Sequence, residues 1–101
     1  MLNSINDISF KEKIGINTKV IVLFSATWCE PCKKIKERLE VVSSELSQYN
    51  FYIFDIDGEV TPNLQSIKGV PTIILYENGV EVRRHFGAGL TINKLKEFVN
   101  F

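Results

Sequence analysis

Five consecutive apolar residues, Val20-Ile21-Val22-Leu23-Phe24, constrain this chain more than any other segment. Three of the five are β-branched, which favours a strand. The run is too short to cross a membrane. It carries no alternation of polar and apolar residues, so neither face of the strand is meant for water. A strand covered on both faces belongs inside a parallel or mixed sheet with helices above and below it.

The remaining elements fit that requirement. Leu2 to Ile5 reads as a short first strand. Asn6 or Asp7 can cap a helix running to about Ile14, which Gly15 stops. After the central strand comes a long helix with Pro31 in its first turn, where a missing N–H costs nothing. Cys32, Ile35, Leu39, Val42 and Leu46 form its apolar stripe. Lys33, Lys34, Lys36, Glu37, Arg38 and Glu40 fill the other side as a solvated face. Phe51 to Asp57 is a second strongly apolar strand. Thr61 caps a short helix through about Ser66, with Pro62 at its first position. Thr72 to Tyr76 and Val80 to Phe86 flank Glu77-Asn78-Gly79, a hairpin signal. Gly87-Ala88-Gly89 is a turn, and Thr91 caps a closing helix with Leu95, Phe98 and Val99 inward. The order is β-α-β-α-β-α-β-β-α. It predicts an α/β fold, a central mixed sheet of about five strands flanked by four helices.

The 101 residues suit one domain, 1–101. Twelve basic and twelve acidic residues cancel. A nucleic-acid or membrane partner held by bulk charge is therefore not expected. The N-terminal residues have neither the basic segment nor the apolar stretch of a secretion signal, so the expected location is cytoplasmic. Two cysteines, three positions apart, are too few for a disulfide-stapled scaffold.

Those two cysteines open the long helix in the segment Trp28-Cys29-Glu30-Pro31-Cys32. The first sulfur lies beside unpaired backbone N–H groups and the positive end of the helix dipole, so the Cys29 thiolate is favoured. Cys32 lies one turn further in, shielded, and close enough to close a ring with Cys29. Lowering a thiol from pKa ~8.5 to ~7 multiplies its thiolate fraction at neutral pH about 15-fold. Intrinsic nucleophilicity falls about 5-fold over the same change, so attack gains only ~3-fold. The larger benefits are a better leaving group at Cys29 and an intramolecular attack by Cys32. Half a zinc site and two inert core cysteines are the competing readings. Structural zinc needs four ligands. Here only His85 and some carboxylates remain, and His85 reads as an edge-strand residue. No metal or other cofactor is expected.

Ala26-Thr27-Trp28-Cys29-Glu30-Pro31-Cys32-Lys33 after a buried strand, Gly69-Val70-Pro71-Thr72 before another, Asn78-Gly79, Gly87-Ala88 and Leu95-Lys96-Glu97-Phe98 stand in one order at characteristic spacings. In this combination the chain resembles the thioredoxin family over nearly its whole length. The resemblance implies a thioredoxin fold. It implies Cys29 as nucleophile, Cys32 as resolving thiol, and a redox-active disulfide between them. It implies that Pro71 is cis and faces that disulfide, and that Val70 pairs its backbone with an extended substrate segment. Trp28, Glu30, Pro31, Val70, Gly87 and Ala88 would then rim the substrate-docking surface. The implied activity is reduction of protein disulfides through a mixed-disulfide intermediate, by a monomer recharged by a thioredoxin reductase or a similar electron donor. A redox-independent docking subunit and a disulfide-installing oxidant are the alternatives. A reduction potential near about −270 mV would mark a reductant and one near about −120 mV an oxidant.

Three positions depart from the family pattern. Glu30 stands where glycine is usual. It should push the Cys29 thiol slightly upward, against Lys33 and Lys34, unless it points into water. Leu23 replaces a buried aspartate that is thought to help move the proton of the second cysteine. Ile53 replaces the lysine near that aspartate. Both members of a buried charged pair have become apolar together, which leaves no charge unpaired.

Overall fold

Strand β2 (Lys19–Ser25) sits at the middle of a five-stranded sheet, as its apolar run requires. The computed structural model describes residues 2–100. The other elements are β1 (Asn3–Ile5), α1 (Phe10–Ile14), α2 (Glu30–Glu45), β3 (Asn50–Asp55), α3 (Thr61–Leu64), β4 (Thr72–Glu77), β5 (Val80–Phe86) and α4 (Ile92–Val99). The strand order is β1-β3-β2-β4-β5. β1 and β2 run parallel to β3, whereas β4 is antiparallel to both β2 and β5, so the sheet is mixed.

Val20 to Phe24 are each 0% exposed. Ile21 and Leu23 face a cluster with Ile35, Leu39 and Val42 of α2 and Leu95 and Val99 of α4. Val20, Val22 and Phe24 face the opposite cluster, with Phe10 and Ile14 of α1. There the Phe10 ring meets Phe54 and Tyr76 edge-on, at 5.9 and 5.7 Å between centroids. Burying side chains of this size is worth roughly 1.5–3 kcal/mol each. The run therefore commits on the order of 10 kcal/mol to the two-faced sheet before chain entropy is subtracted.

Local signals set several boundaries as expected. Asn78 and Gly79 both have positive φ, +54° and +79°, and form the two-residue hairpin loop between β4 and β5. The Thr91 hydroxyl accepts the Lys94 N–H and caps α4.

Other boundaries differ from the sequence reading. Helix α1 begins at Phe10, because Asn6 Oδ1 accepts the N–H groups of Ile8 and Ser9 and forms a turn first. Asp7 does not cap that helix. Its carboxylate crosses to α3 and accepts the N–H groups of Val60 and Thr61, both at 2.8 Å. Thr61 is accordingly the first residue of α3 rather than its cap, and α3 ends at Leu64. Burial pushes the Asp7 carboxyl up, but hydrogen bonds with Thr61, Val60 and Glu59 outweigh it and hold the group well below the usual range. Strand β3 stops at Asp55, where the carboxylate accepts the Asp57 N–H and Gly58 follows with φ +74°.

Candidate active site

The chain leaves the carboxyl end of β2 at Ser25 and enters α2 at Glu30, so residues 26–29 are held at the edge of the sheet. Cys29 is the N-cap of α2. Its backbone is extended, with φ −96° and ψ 106°, and its Sγ accepts the Cys32 N–H at 3.3 Å. Sulfur thus stands where a serine or aspartate oxygen commonly caps a helix. Pro31 occupies the first turn without removing a useful donor. Cys29 and Cys32 are joined by a disulfide, with their Cα atoms 5.3 Å apart. Cys29 is 4% and Cys32 1% exposed.

Two segments distant in sequence pack against this pair, and a third is tied to one of them. The Val70–Pro71 peptide bond is cis, and Pro71 is buried. Val70 and Ile56 pack against Ala26, Cys29 and Cys32. The Gly87 N–H donates to the Pro71 carbonyl at 2.9 Å, from a backbone with φ +104° that favours glycine. Arg38 Nη1 donates to the carbonyls of Ala88 and Leu90, at 2.9 and 3.1 Å, and ties that turn to α2. Trp28 is 66% exposed rather than part of the core, and its indole N–H reaches the Asp57 carboxylate at 3.2 Å.

Arg38, Asp57 and Phe86 were not legible as site residues. Arg38 belongs to a helix face that reads as solvated. Asp57 sits at the end of an apolar run, and the Gly58 beside it was the available sign of a turn. Phe86 follows half-buried His85 at the end of an edge strand, and its ring is 67% exposed and lies over Gly69, next to the cis peptide. A Cβ at Gly69 would stand 2.8 Å from that ring, so a larger residue there would push the exposed ring aside.

The unusual residues are placed as follows. Glu30 points into water with its side chain 82% exposed, and it pairs with Lys33 Nζ at 2.9 Å. The hydrogen bond and charge of Lys33 lower the Glu30 carboxyl. Leu23 and Ile53 are cross-strand partners in the β2–β3 register, Leu23 fully buried and Ile53 half-buried. Beside them a cleft of about 280 Å³ reaches Cys32, with Ser25, Ile53 and Asp55 on the sheet side and Lys33 and Lys36 on the helix side. His85 is half-buried on the edge strand β5, paired with Ile73.

A disulfide at a helix start, packed against the residue before a cis-proline, is matched by what the chain resembles as a whole. The thioredoxin family model matches residues 1–100. The chain belongs to the thioredoxin family. It is 38% identical to thioredoxin-1 of Saccharomyces cerevisiae over 81 residues, which cover 78% of each chain. It is 34% identical to the thioredoxin of Chlamydia trachomatis over 88 residues, 86% of this chain and 85% of that one. The crystal structure of Chlamydomonas reinhardtii thioredoxin f2 superposes with a TM-score of 0.89 at 28% identity, covering 99% of this chain and 94% of the other. The mixed sheet with its four helices is thus a thioredoxin fold. Family membership together with the bonded Cys29–Cys32 pair makes the chain a thiol–disulfide oxidoreductase, of the type that reduces disulfides.

Proposed function

We propose that Cys29 is the attacking thiol and Cys32 the resolving one in the reduction of protein disulfides. The observation that carries this assignment is the different setting of the two sulfurs. Cys29 Sγ is at the N-terminus of α2, where a backbone N–H points at it and the helix dipole favours negative charge. Cys32 sits inside the first turn, shielded from solvent, and the sulfur within its reach is the Sγ of Cys29. The Cys29 thiolate attacks a substrate disulfide, one substrate sulfur leaves as thiolate, and Cys32 then displaces the second from Cys29.

The substrate lies across Trp28, Glu30, Pro31, Val70, Pro71, Gly87 and Ala88. The backbone of Val70 pairs with an extended substrate segment beside the scissile disulfide. Its position against the cysteine pair supports this role. The chain works as a monomer in the cytoplasm, where a thioredoxin reductase or an equivalent donor returns it to the dithiol. Dithiothreitol-driven reduction of insulin tests the assignment. It should be lost in Cys29→Ser. In Cys32→Ser, mixed disulfides with substrate should accumulate on Cys29. Insulin reduction that persists in Cys29→Ser would overturn the reading.

A further inference from the structure

The resolving step requires Cys32 to lose a proton, because the thiolate and not the thiol is the nucleophile. Cys32 is 1% exposed, and the Leu23–Ile53 pair on the sheet side offers no polar atom to receive that proton. The cleft beside Cys32 does. At about 280 Å³ it has room for several water molecules, each of which takes about 30 Å³ in the liquid. Among the residues lining it, Asp55 is the carboxylate and Lys33 and Lys36 are the cations. Lys33 is held by Glu30 at 2.9 Å and Lys36 by Glu40 at 3.9 Å, so neither is fixed on Asp55. Asp55 pairs with Ser25 in the register, two positions beyond Ile53 on the same face of β3. It stands at the exposed mouth of the cleft and so avoids the cost of a carboxylate buried at Leu23.

We propose that Asp55 is the proton acceptor for Cys32, working through water in this cleft. This rests on the assignment of Cys32 as the resolving thiol. The Cys32 S–H proton passes by way of water to the Asp55 carboxylate. The freed electron pair forms the Cys32–Cys29 bond, the bond from Cys29 to the substrate sulfur breaks, and that sulfur departs as thiolate. The departing thiolate is protonated from solvent, and Asp55 returns its proton to water. The chain is oxidised to its disulfide, and the substrate disulfide is reduced to two thiols. While the proton resides on Asp55 the net charge of the cleft is unchanged, and Lys33 and Lys36 stabilise the transient Cys32 thiolate.

Reaction of the reduced chain with Ellman's reagent separates the two steps. Cys29 attack releases a first equivalent of thionitrobenzoate, and Cys32 resolution releases a second. Asp55→Asn should leave the first phase unchanged and slow the second about tenfold near pH 7. That loss is smaller than the roughly 10²-fold lower edge for a base in direct contact. The deficit should shrink as pH rises, because hydroxide in the cleft water then takes the Cys32 proton in place of Asp55. Asp55→Glu should restore part of the rate. Asparagine can still accept the Asp57 N–H, so the turn that holds Trp28 is kept. An unchanged second phase, or equal slowing of both phases, overturns the proposal. Release of only one equivalent by the unaltered chain overturns instead the assignment of Cys32 on which it rests.

Discussion

Replacing Leu23 by aspartate would put back the carboxylate that the fold does without, and the structure fixes what this costs. Leu23 is fully buried between Ile53 of β3 and Ile73 of β4, beneath Ile35 and Leu39. Truncating a buried leucine costs about 2–5 kcal/mol, and the smaller aspartate puts the loss at the low end, about 2–3 kcal/mol. Keeping the carboxyl protonated at pH 7, against an unfolded pKa of about 3.9, costs a further ~4 kcal/mol. With an unpaired buried hydroxyl included, the total is about 8 kcal/mol, most of the roughly 5–15 kcal/mol that holds such a domain together. The penalty has a direction in pH. The folded pKa is raised, so the charge-related cost is absent below about pH 4 and grows by about 1.4 kcal/mol per pH unit above it. Urea unfolding of the oxidised variant should therefore lose about 3 kcal/mol between about pH 4.5 and pH 7, a fall in midpoint of about 2 M at a slope of about 1.5 kcal/mol/M. Leu23→Asn carries a similar cavity without that slope. Adding Ile53→Lys across the register should recover stability at pH 7, a coupling that a double-mutant cycle measures. Where Leu23→Asp remains folded, it should also speed the second release of thionitrobenzoate near neutral pH. A cost independent of pH would refute the reasoning, because it would mean that the carboxyl at position 23 reaches water.

Two further outcomes follow from charges outside the disulfide. Asp7→Ala should destabilise the chain at neutral pH by uncapping α3. The folded Asp7 carboxyl lies below its ordinary value of 3.8, so its contribution is complete above that pH and disappears as the pH falls further, and the unfolding midpoints of variant and parent should converge in acid. Glu30→Gln should change the first phase with Ellman's reagent by less than about 2-fold, because Lys33 neutralises an exposed carboxylate whose influence is screened by water. A change of about tenfold would show that Glu30 sets the reactivity of Cys29.

What could be read in the sequence was local, and what could not was paired over distance. The run from Val20 to Phe24 announces its own burial, because a strand wetted on either face would alternate. Asn78-Gly79 announces its hairpin, because both residues tolerate positive φ. Cys29 and Cys32 announce a reactive pair through their spacing at a helix start. Asp7 misled for the converse reason. A capping residue just before a helical stretch reads as that helix's cap, yet its partners at Val60 and Thr61 are more than fifty positions away. Arg38 looked like one more solvated charge until the fold set the carbonyls of Ala88 and Leu90 against it. Asp57 and Trp28, 29 positions apart, meet only because β3 returns beside β2. The Leu23–Ile53 pair lies between these cases. The sequence shows two departures from a family pattern, and only the register shows that they are one change at one place. That change removes the polar route on the sheet side of Cys32. With Cys32 resolving as proposed, its proton must still leave, and the cleft whose mouth carries Asp55 is the opening that lies beside it.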